Sequence, residues 1–279
     1  MGENSPVIIS VASGKGGVGK TCITINLAAS LSEKGKRVLV IDCDLGLANI
    51  DIMLGINPRR NLKDVIFGDV DVRDVIVRTE AGFDLLPASS GVREMARLLH
   101  EDIEKLKGII THVSGGYDYV FCDIGAGISD TVLQFNLFAA RNLVIVSKDL
   151  TSITDAYAMM KTIYRTFGRT SFEIIVNSVR DDDEGVKVFT HLDSICKRFL
   201  DFSPRHLGSI PFDEVVTRSI MKQTVLVRLF PESGAAIKMN QIAHAISPRP
   251  TQSSGETLKQ EPSRRPPAIP RSGAPSAPR

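Results

Sequence analysis

The sequence predicts an α/β fold in which a mainly parallel β-sheet is covered by helices on both faces. Apolar runs of strand length alternate with stretches of helical spacing, and most runs are apolar at nearly every position. Near-continuous apolar strands separated by helices are typical of a parallel sheet that is buried on both faces. The runs cover residues 7–12, 37–42, 83–87, 119–123, 143–146, 172–177 and 207–210.

Polar residues at the ends of these runs are the candidate site residues. Ligands of open parallel sheets bind in the crevice at the carboxyl ends of the strands. The residues that stand there are Gly14, Asp42, Asp44, Asp123, Asp149, Asn177 and Asp213.

A glycine-rich segment after the first run matches the phosphate-binding pattern G-x-x-x-x-G-K-[ST] at every fixed position. It comprises Gly14, Lys15, Gly16, Gly17, Val18, Gly19, Lys20 and Thr21, and Cys22 follows it. Because helical spacing begins directly after the segment, its backbone N–H groups and the helix N-terminus are predicted to bind the phosphates of a nucleotide. We expect Lys20 to contact the β- and γ-phosphates and the Thr21 hydroxyl to hold Mg²⁺.

Carboxylates follow two other runs. Asp42 and Asp44 stand at i and i+2 after the second run, where one can organise water ligands of Mg²⁺ and the other can position an attacking water. Asp123 closes an apolar run, which is the Walker B pattern of a carboxylate that reaches the Mg²⁺ shell.

Composition separates the end of the chain from the rest. Eight of the 14 prolines lie at or after Pro248, and residues 248–279 contain six Lys or Arg and two Glu. We therefore predict a phosphate-loop domain over residues 1–247 and a disordered tail rich in Pro, Arg and Ser over residues 248–279. The tail carries +4 and the whole chain +2, so the domain is mildly acidic, which argues against DNA binding.

Cysteine spacing and the first residues bear on location. Cys22, Cys43, Cys122 and Cys196 are scattered without a C-x-x-C, which favours structural thiols over a metal site. Residues 1–6 are too short and polar for a signal peptide, and no apolar run reaches the ~18 residues of a membrane span. We expect a cytoplasmic protein with reduced thiols.

With Lys15 included, the loop K-G-G-V-G-K-T resembles the deviant Walker A motif of the family that includes MinD, the ParA partition ATPases and the nitrogenase iron protein. In that family the first lysine crosses a dimer interface to the partner's nucleotide. The resemblance therefore implies an ATP-bound homodimer in which Lys15 acts in trans. A cation there would offset charge that develops on the phosphates during transfer.

Two segments resemble the switch regions of this family. Residues 42–51, D-C-D-L-G-L-A-N-I-D, resemble switch I of the MinD branch, which implies that Asp44 orients the hydrolytic water. Residues 124–127, I-G-A-G, resemble switch II, although relatives usually have Thr, Ser or Ala in place of Ile124.

The expectation for the base depends on two strand ends. A GTPase would show N-K-x-D after the sixth run, and Ser178 and Arg180 break that pattern. In the resembled family an Asn at the position of Asn177 contacts adenine, and a segment like Pro211 to Asp213 walls the adenine pocket, so the resemblance implies ATP. The alternative for either segment is a plain strand end and turn.

Longer segments resemble the FlhG (FleN) group, MinD-like ATPases that control the number and placement of flagella. They cover residues 46–55, 61–66, 86–91 and 150–158, and the last, L-T-S-I-T-D-A-Y-A, is the most specific. This resemblance implies a switch between an ATP-bound dimer and an ADP-bound monomer. It also implies flagellar partners, namely the GTPase FlhF, a transcription activator or switch-ring proteins.

Two departures from that group bear on partners. The first strand begins a few residues after Met1, so stimulation of FlhF by an N-terminal motif is not expected. Residues 234–246 have one lysine and no Phe or Trp, so we expect a core-packing helix and only weak association with the inner face of the cell membrane. The alternative functions are a MinD- or ParA-type positioning ATPase for another cargo and an ATP-dependent biosynthetic enzyme.

Overall fold

The computed structural model describes residues 5–46, 48–88 and 99–247. The tail predicted over residues 248–279, Leu47 and residues 89–91 of one FlhG-like segment lie outside the described residues. The strands are β1 (Val7–Ser13), β2 (Val38–Cys43), β3 (Val77–Arg78), β4 (Asp84–Leu86), β5 (Tyr119–Ala126), β6 (Arg141–Ser147), β7 (Glu173–Val179) and β8 (Arg205–Pro211). The helices are α1 (Lys20–Glu33), α2 (Ile50–Leu54), α3 (Leu62–Ile66), α4 (His100–Ser114), α5 (Asp130–Phe138), α6 (Leu150–Phe167), α7 (Asp182–Leu200), α8 (Glu214–Met221), α9 (Leu226–Leu229) and α10 (Gly234–Ile246).

The strands form one sheet in the order β3-β4-β2-β5-β1-β6-β7-β8. Within the described ranges every ladder is parallel except β3 with β4, so the predicted mainly parallel sheet is confirmed. In the sheet, β2 lies on one side of β1, beyond β5, and β6 lies on the other side. The crevice at the carboxyl end of β1 therefore lies at the topological switch point, where such sheets bind ligands.

Side chains on the two faces of the sheet pack into separate cores. Ile9 and Val11 of β1 belong to the core that contains residues of α1 and α10, whereas Val120 and Cys122 of β5 belong to the core with residues of α5, α6 and α7. Both faces of the central strands are buried, which is why their sequences are apolar at consecutive positions. Each buried aliphatic side chain stabilises the fold by ~1.5–3 kcal/mol relative to an exposed one.

Strand β5 is longer than the sequence predicts. Asp123 was expected to end the strand, but β5 continues to Ala126. The continuation follows from pairing, since Cys43 of β2 is in register with Ile124, and Ile124 is fully buried. Asp123 therefore lies inside a buried strand, and its carboxylate is held away from solvent.

Helix α10 packs against the sheet and α1, as the sequence predicts. Its buried residues are Ala235, Ala236, Met239, Ile242, Ala243 and Ile246. Its last turn is fastened by Arg141 of β6, which donates to the carbonyl of Ile246 at 2.6 Å and also binds Glu173 of β7. In the part of the chain that the structure describes, no helix has both the length and the apolar character needed to cross a membrane.

Candidate nucleotide-binding site

The glycine-rich loop joins the end of β1 to the first turn of α1. Gly17 and Gly19 have φ angles of 79° and 90°, in the left-handed region that favours glycine. Helix α1 begins at Lys20, directly after Gly19. The N–H groups of a first helical turn have no partner within the helix, so this loop and turn form an anion site at the carboxyl end of β1.

Gly14 is required for a different reason, because the loop touches the backbone of α6 at this residue. A Cβ on Gly14 would lie 2.1 Å from the carbonyl carbon of Asp155 and 2.3 Å from the nitrogen of Ala156. The carbonyl of Ser13 accepts from the N–H of Gly127 at 3.0 Å, which ties the start of the loop to the segment after β5. The loop is thus fixed between α6 and the residues that resemble switch II.

Asp123 is the centre of a buried cluster under the loop. Its Oδ1 accepts from Lys20 Nζ at 3.0 Å and from Thr24 Oγ1 at 3.1 Å, and its Oδ2 accepts from Thr21 Oγ1 at 2.7 Å. The exposed fraction is 1% for Asp123 and 8% for Lys20. Removing one partner of a buried ion pair costs ~3–5 kcal/mol, because the other charge stays buried without compensation.

Asp42 lies beside this cluster, since β2 and β5 place it opposite Asp123. Its Oδ1 accepts from the N–H of Asp44 at 3.1 Å, and its Oδ2 accepts from the N–H groups of Asn49 and Ile50 at 3.2 and 3.4 Å. Burial, followed by the charge of Asp123, raises the pKa of Asp42 to about 7, although these N–H groups lower it. One carboxylate thus binds backbone N–H groups near both ends of the segment that resembles switch I.

The loop opens into a cavity of about 730 Å³, a size common for sites of small ligands. The carboxylate of Asp44 lies beside Gly125 in the wall of this cavity, since a Cβ on Gly125 would lie 3.4 Å from Asp44 Oδ1. The predicted site residues in the lining are Gly16, Gly17, Gly19, Lys20, Thr21, Cys22 and Asp44. The two switch-like segments therefore meet above the phosphate loop.

The oxygen atoms of Thr21, Asp42 and Asp123 fit a Mg²⁺ ion. Mg²⁺ prefers hard oxygen ligands, and proteins usually hold it through one or two side chains together with waters and phosphates. The Thr21 hydroxyl and the Asp123 carboxylate are in direct contact, and Asp42 lies in register beside Asp123. A hydroxyl and carboxylates next to a phosphate-binding loop are oxygen donors of the kind that hold Mg²⁺ in phosphate-loop proteins.

Comparison with known proteins gives the family. Residues 7–173 match the family model AAA_31, described as an AAA domain. The chain is 39% identical over 251 residues to the antiactivator FleN of Pseudomonas aeruginosa, and this alignment covers 90% of each chain. The chain belongs to the MinD/ParA-type ATPases, in the branch of FleN.

Other relatives of this FleN-like ATPase agree. The flagellum site-determining protein YlxH of Helicobacter pylori is 30% identical over 84% of this chain and 80% of its own. The MinD structure from Pyrococcus horikoshii, complexed with Mg-ADP, has a TM-score of 0.73 at 25% identity and covers 86% of this chain and 96% of its own. The MinC:MinD complex of Aquifex aeolicus gives 0.72 at 26%, with 89% and 100% covered. The predictions of a MinD-like fold and of an ATPase are confirmed at the level of the family.

Lys15 and Lys20 of the FleN-like ATPase have different surroundings. Lys20 is buried against Asp123, whereas Lys15 is exposed and its Nζ donates to Thr151 Oγ1 at 2.9 Å. Thr151 lies in the first turn of α6, within the segment that most specifically resembles the FlhG group. The action of Lys15 in trans stays a prediction.

Three residues predicted to contact the base lie outside the lining of the cavity, as far as the described residues define it. The Nδ2 of Asn177 donates to the carbonyl of Val18 at 2.8 Å. The carboxylate of Asp213 accepts from N–H groups at the starts of α8 and α10, at 3.2 and 3.4 Å. Pro211 ends β8. Their contact with adenine stays a prediction.

Sequence reasoning missed Thr24 and part of the cavity wall. Thr24 stands one turn after Lys20 on α1, a position that no motif marks, and only the fold shows that it reaches Asp123. The unpredicted wall residues include Ile52 and Met53 of α2, Ile220 of α8, and Ser129, Thr131 and Val132 at the start of α5. Ser129 carries a signal that could have been used, since its side chain caps α5 by accepting from the N–H of Val132.

All four cysteines are buried and free of disulfides. Burial raises the pKa of the Cys22 thiol, which lines the cavity, to about 11. Burial likewise raises the pKa of the Cys43 thiol well above its usual value. Thiols of this kind pack like small apolar side chains and are poor nucleophiles, which agrees with the structural interpretation of the sequence.

Proposed function

We propose that the protein is an ATP-dependent dimerisation switch that regulates the number or placement of flagella through protein partners. The names of two relatives, antiactivator FleN and flagellum site-determining protein YlxH, support the flagellar part. The observation that most supports a dimerisation switch is the placement of the two loop lysines. Lys20 is committed to the buried cluster, whereas Lys15 is exposed at the rim of the loop, where a second protomer can approach it.

Each part of the site has a proposed role. Residues 14–22 bind the phosphates of ATP, and Thr21, Asp42 and Asp123 hold Mg²⁺. Bound Mg²⁺ would neutralise charge on the β- and γ-phosphates. Asp44 orients the hydrolytic water, and Lys15 reaches the nucleotide of the partner protomer.

Asp42 couples the metal site to the switch I segment. Its carboxylate receives N–H groups from Asp44, Asn49 and Ile50, so any displacement of Asp42 moves the backbone that carries Asp44. The proposed output is therefore a conformational change of residues 44–50 that depends on the occupant of the phosphate site. Asp44, Leu45, Gly46 and Asn49 of that segment line the cavity together with Gly125.

The proposed partners are flagellar proteins. An antiactivator restrains an activator, so the name of the P. aeruginosa relative favours a flagellar transcription activator as one partner. The GTPase FlhF and switch-ring proteins are the other proposed partners. We propose a cytoplasmic protein that does not bind DNA and associates weakly, if at all, with the inner face of the cell membrane.

The second candidate is a positioning ATPase for another cargo. The chloroplastic MinD homologue of Arabidopsis thaliana, named a septum site-determining protein, is 32% identical over 87% of this chain and 75% of its own. A change in flagellar number on loss of the gene, without a division defect, distinguishes flagellar control from septum placement.

The dimerisation switch is tested with Asp44→Ala. We expect this variant to bind ATP and Mg²⁺, to release no phosphate and to remain a dimer in size-exclusion chromatography with light scattering. Asp69→Ala, which removes an exposed aspartate, is the matched control and should behave like the parent. A monomeric Asp44→Ala protein that still releases phosphate would remove Asp44 from the proposed role.

The flagellar role is tested in the source organism. Strains that carry Asp44→Ala or Asp69→Ala in place of the native gene are compared by electron microscopy, and flagella are counted per cell. We expect an altered number or position with Asp44→Ala only. An unchanged pattern in a strain that lacks the gene altogether would refute the flagellar function.

A further inference from the structure

Strand β8 forms one edge of the sheet. Among the described strands only β7 pairs with it, so the backbone groups on its outer side have no ladder partner. Pairing is also interrupted within the strand, because the register with consecutive residues of β7 passes from His206 to Gly208 and leaves out Leu207. These three residues are half-buried, so the backbone of this part of the edge is within reach of a second polypeptide.

Helices from the two faces of the sheet are joined around this edge. Helix α7 packs into one core and α10 into the other, and Asp182 at the start of α7 binds Lys238 of α10 at 2.7 Å. The side chains are 66% and 31% exposed, respectively, and ion pairs this open to solvent contribute little to stability. The pair is therefore a weak strap over β8, which two other charges can replace.

A cavity of about 320 Å³ is lined by both residues of the strap and by residues 206–209 of β8. Val186, Leu207 and Ile242 form its apolar part. Backbone forms part of its floor, since a Cβ on Gly208 would lie 3.1 Å from Ile242 Cγ1 and α10 packs directly on this glycine. Among the described residues, none lines both this cavity and the one above the phosphate loop. The cavity is thus a separate recess that can take an aliphatic side chain beside the open strand edge.

We propose that the outer edge of β8 is a docking site for an extended segment of a partner protein, which adds to the sheet as one more strand. Successive side chains of a strand point to opposite faces, so neighbouring residues of the segment would face α7 and α10. A basic residue on the α7 side would pair with Asp182, and an acidic residue next to it would pair with Lys238. The segment that replaces the strap therefore carries a base and an acid at adjacent positions, with an aliphatic residue for the cavity.

A second copy of this chain fits the edge less well. Antiparallel pairing of two β8 strands about a two-fold axis places both α7 helices on the same face of the joined sheet. Asp182 lines the same cavity as residues 206–209, so an axis through these residues would bring together residues 181–184, D-D-D-E, of both copies. Like charges brought close repel, whereas a segment with a basic residue is complementary to this acidic run.

The test uses the full chain without nucleotide and two capped synthetic peptides of identical composition. In Thr-Val-Lys-Glu-Val-Thr the charges are adjacent and face opposite sides of a strand, whereas in Thr-Lys-Val-Glu-Val-Thr they face the same side. Amide chemical shifts of the isotope-labelled protein, recorded by NMR, measure where and how tightly each peptide binds. We expect shifts centred on residues 205–211 and a dissociation constant about threefold lower for the peptide with adjacent charges.

Variants of the strap show whether its charges select the peptide. Asp182→Asn combined with Lys238→Gln removes both charges, so the two peptides should bind this variant with equal affinity. The matched control is Arg37→Gln combined with Asp118→Asn, which removes another exposed ion pair, of 2.9 Å, and should keep the preference of the parent. Melting temperatures show whether each variant is folded.

Three results would overturn the inference. The first is the absence of shifts in β8 with either peptide, and the second is equal affinity of the parent for both peptides. The third is a doubled mass in light scattering without nucleotide or peptide, with the amides of β8 protected from hydrogen exchange, which would assign the edge to a second copy. Since no nucleotide is present, each of these outcomes leaves the proposed dimerisation switch intact.

Discussion

Gly14→Ala tests the contact between the phosphate loop and α6. The added Cβ would lie 2.1 Å from a backbone carbon of Asp155, whereas ordinary van der Waals contact begins at 3.4 Å. The contact must therefore open by about 1.3 Å. Because both sides are backbone, no side-chain rotation relieves the clash, and the loop or the helix has to move. Overpacking of this kind costs ~1–3 kcal/mol, and we expect the upper end of that range.

Urea unfolding without nucleotide measures the cost, and Gly16→Ala is the control. A Cβ on Gly16 meets no heavy atom within 4 Å, so this variant should stay within ~0.5 kcal/mol of the parent. The displacement in Gly14→Ala also separates Lys15 from Thr151, which now lie 2.9 Å apart. We therefore expect weaker binding of Mg-ADP by titration as well.

Equal stability of the two glycine variants would refute the close approach of the loop to α6. A destabilised Gly14→Ala protein with parental affinity for Mg-ADP would show that the contact supports the fold and not the shape of the phosphate site.

Three further predictions concern the buried cluster. The pKa of Asp42 is raised from 3.8 to about 7, so its contribution to stability is complete below pH ~4 and is lost as the pH rises through 7. In urea unfolding with EDTA, the free energy of unfolding of the parent should therefore fall by ~2–3 kcal/mol relative to that of Asp42→Asn between pH 5 and pH 8. A difference that stays constant with pH would contradict the raised pKa. Lys20→Gln should raise the dissociation constant of ATP at least ~tenfold in a titration, because a charge-assisted contact is lost, whereas Lys36→Gln, at an exposed site, should leave it unchanged. Parental affinity of Lys20→Gln would exclude the assigned contact. Thr24→Val should cost ~1–2 kcal/mol in urea unfolding, since it removes the hydroxyl that lies between Asp123 Oδ1 and the carbonyl of Lys20, and Thr24→Ser should cost less. Equal costs would mean that the hydroxyl contributes nothing.

The parts of the fold that sequence predicts are those set by local pattern. The apolar runs identify the long parallel strands, because burial of both sheet faces requires consecutive apolar residues. The two-residue strand β3 is too short to show such a pattern, although it pairs with β4 across a local turn of residues 79–83. The order of strands was likewise not predicted, since it is decided by how the helical crossovers pack.

The site shows the same division. The phosphate loop is predictable because glycines, Lys20 and Thr21 stand at fixed spacing in one segment. The need for Gly14 depends on the backbone of α6, which lies far away along the chain, so no local pattern reveals it. The contact of Asn177 with Val18 was missed for the same reason, and the resemblance alone assigned this residue to the base.

The central claim is that Lys15 acts across a dimer interface, and mixing two inactive variants tests it most directly. Lys15→Ala and Asp44→Ala should each release no phosphate from ATP. In a mixed dimer, one site combines the intact Asp44 of one protomer with the intact Lys15 of the other, while the second site has neither. Random pairing of equal amounts should then restore roughly a quarter of the parental rate of phosphate release. Parental hydrolysis by Lys15→Ala alone, or no recovery although mixed dimers are demonstrated, would contradict the claim.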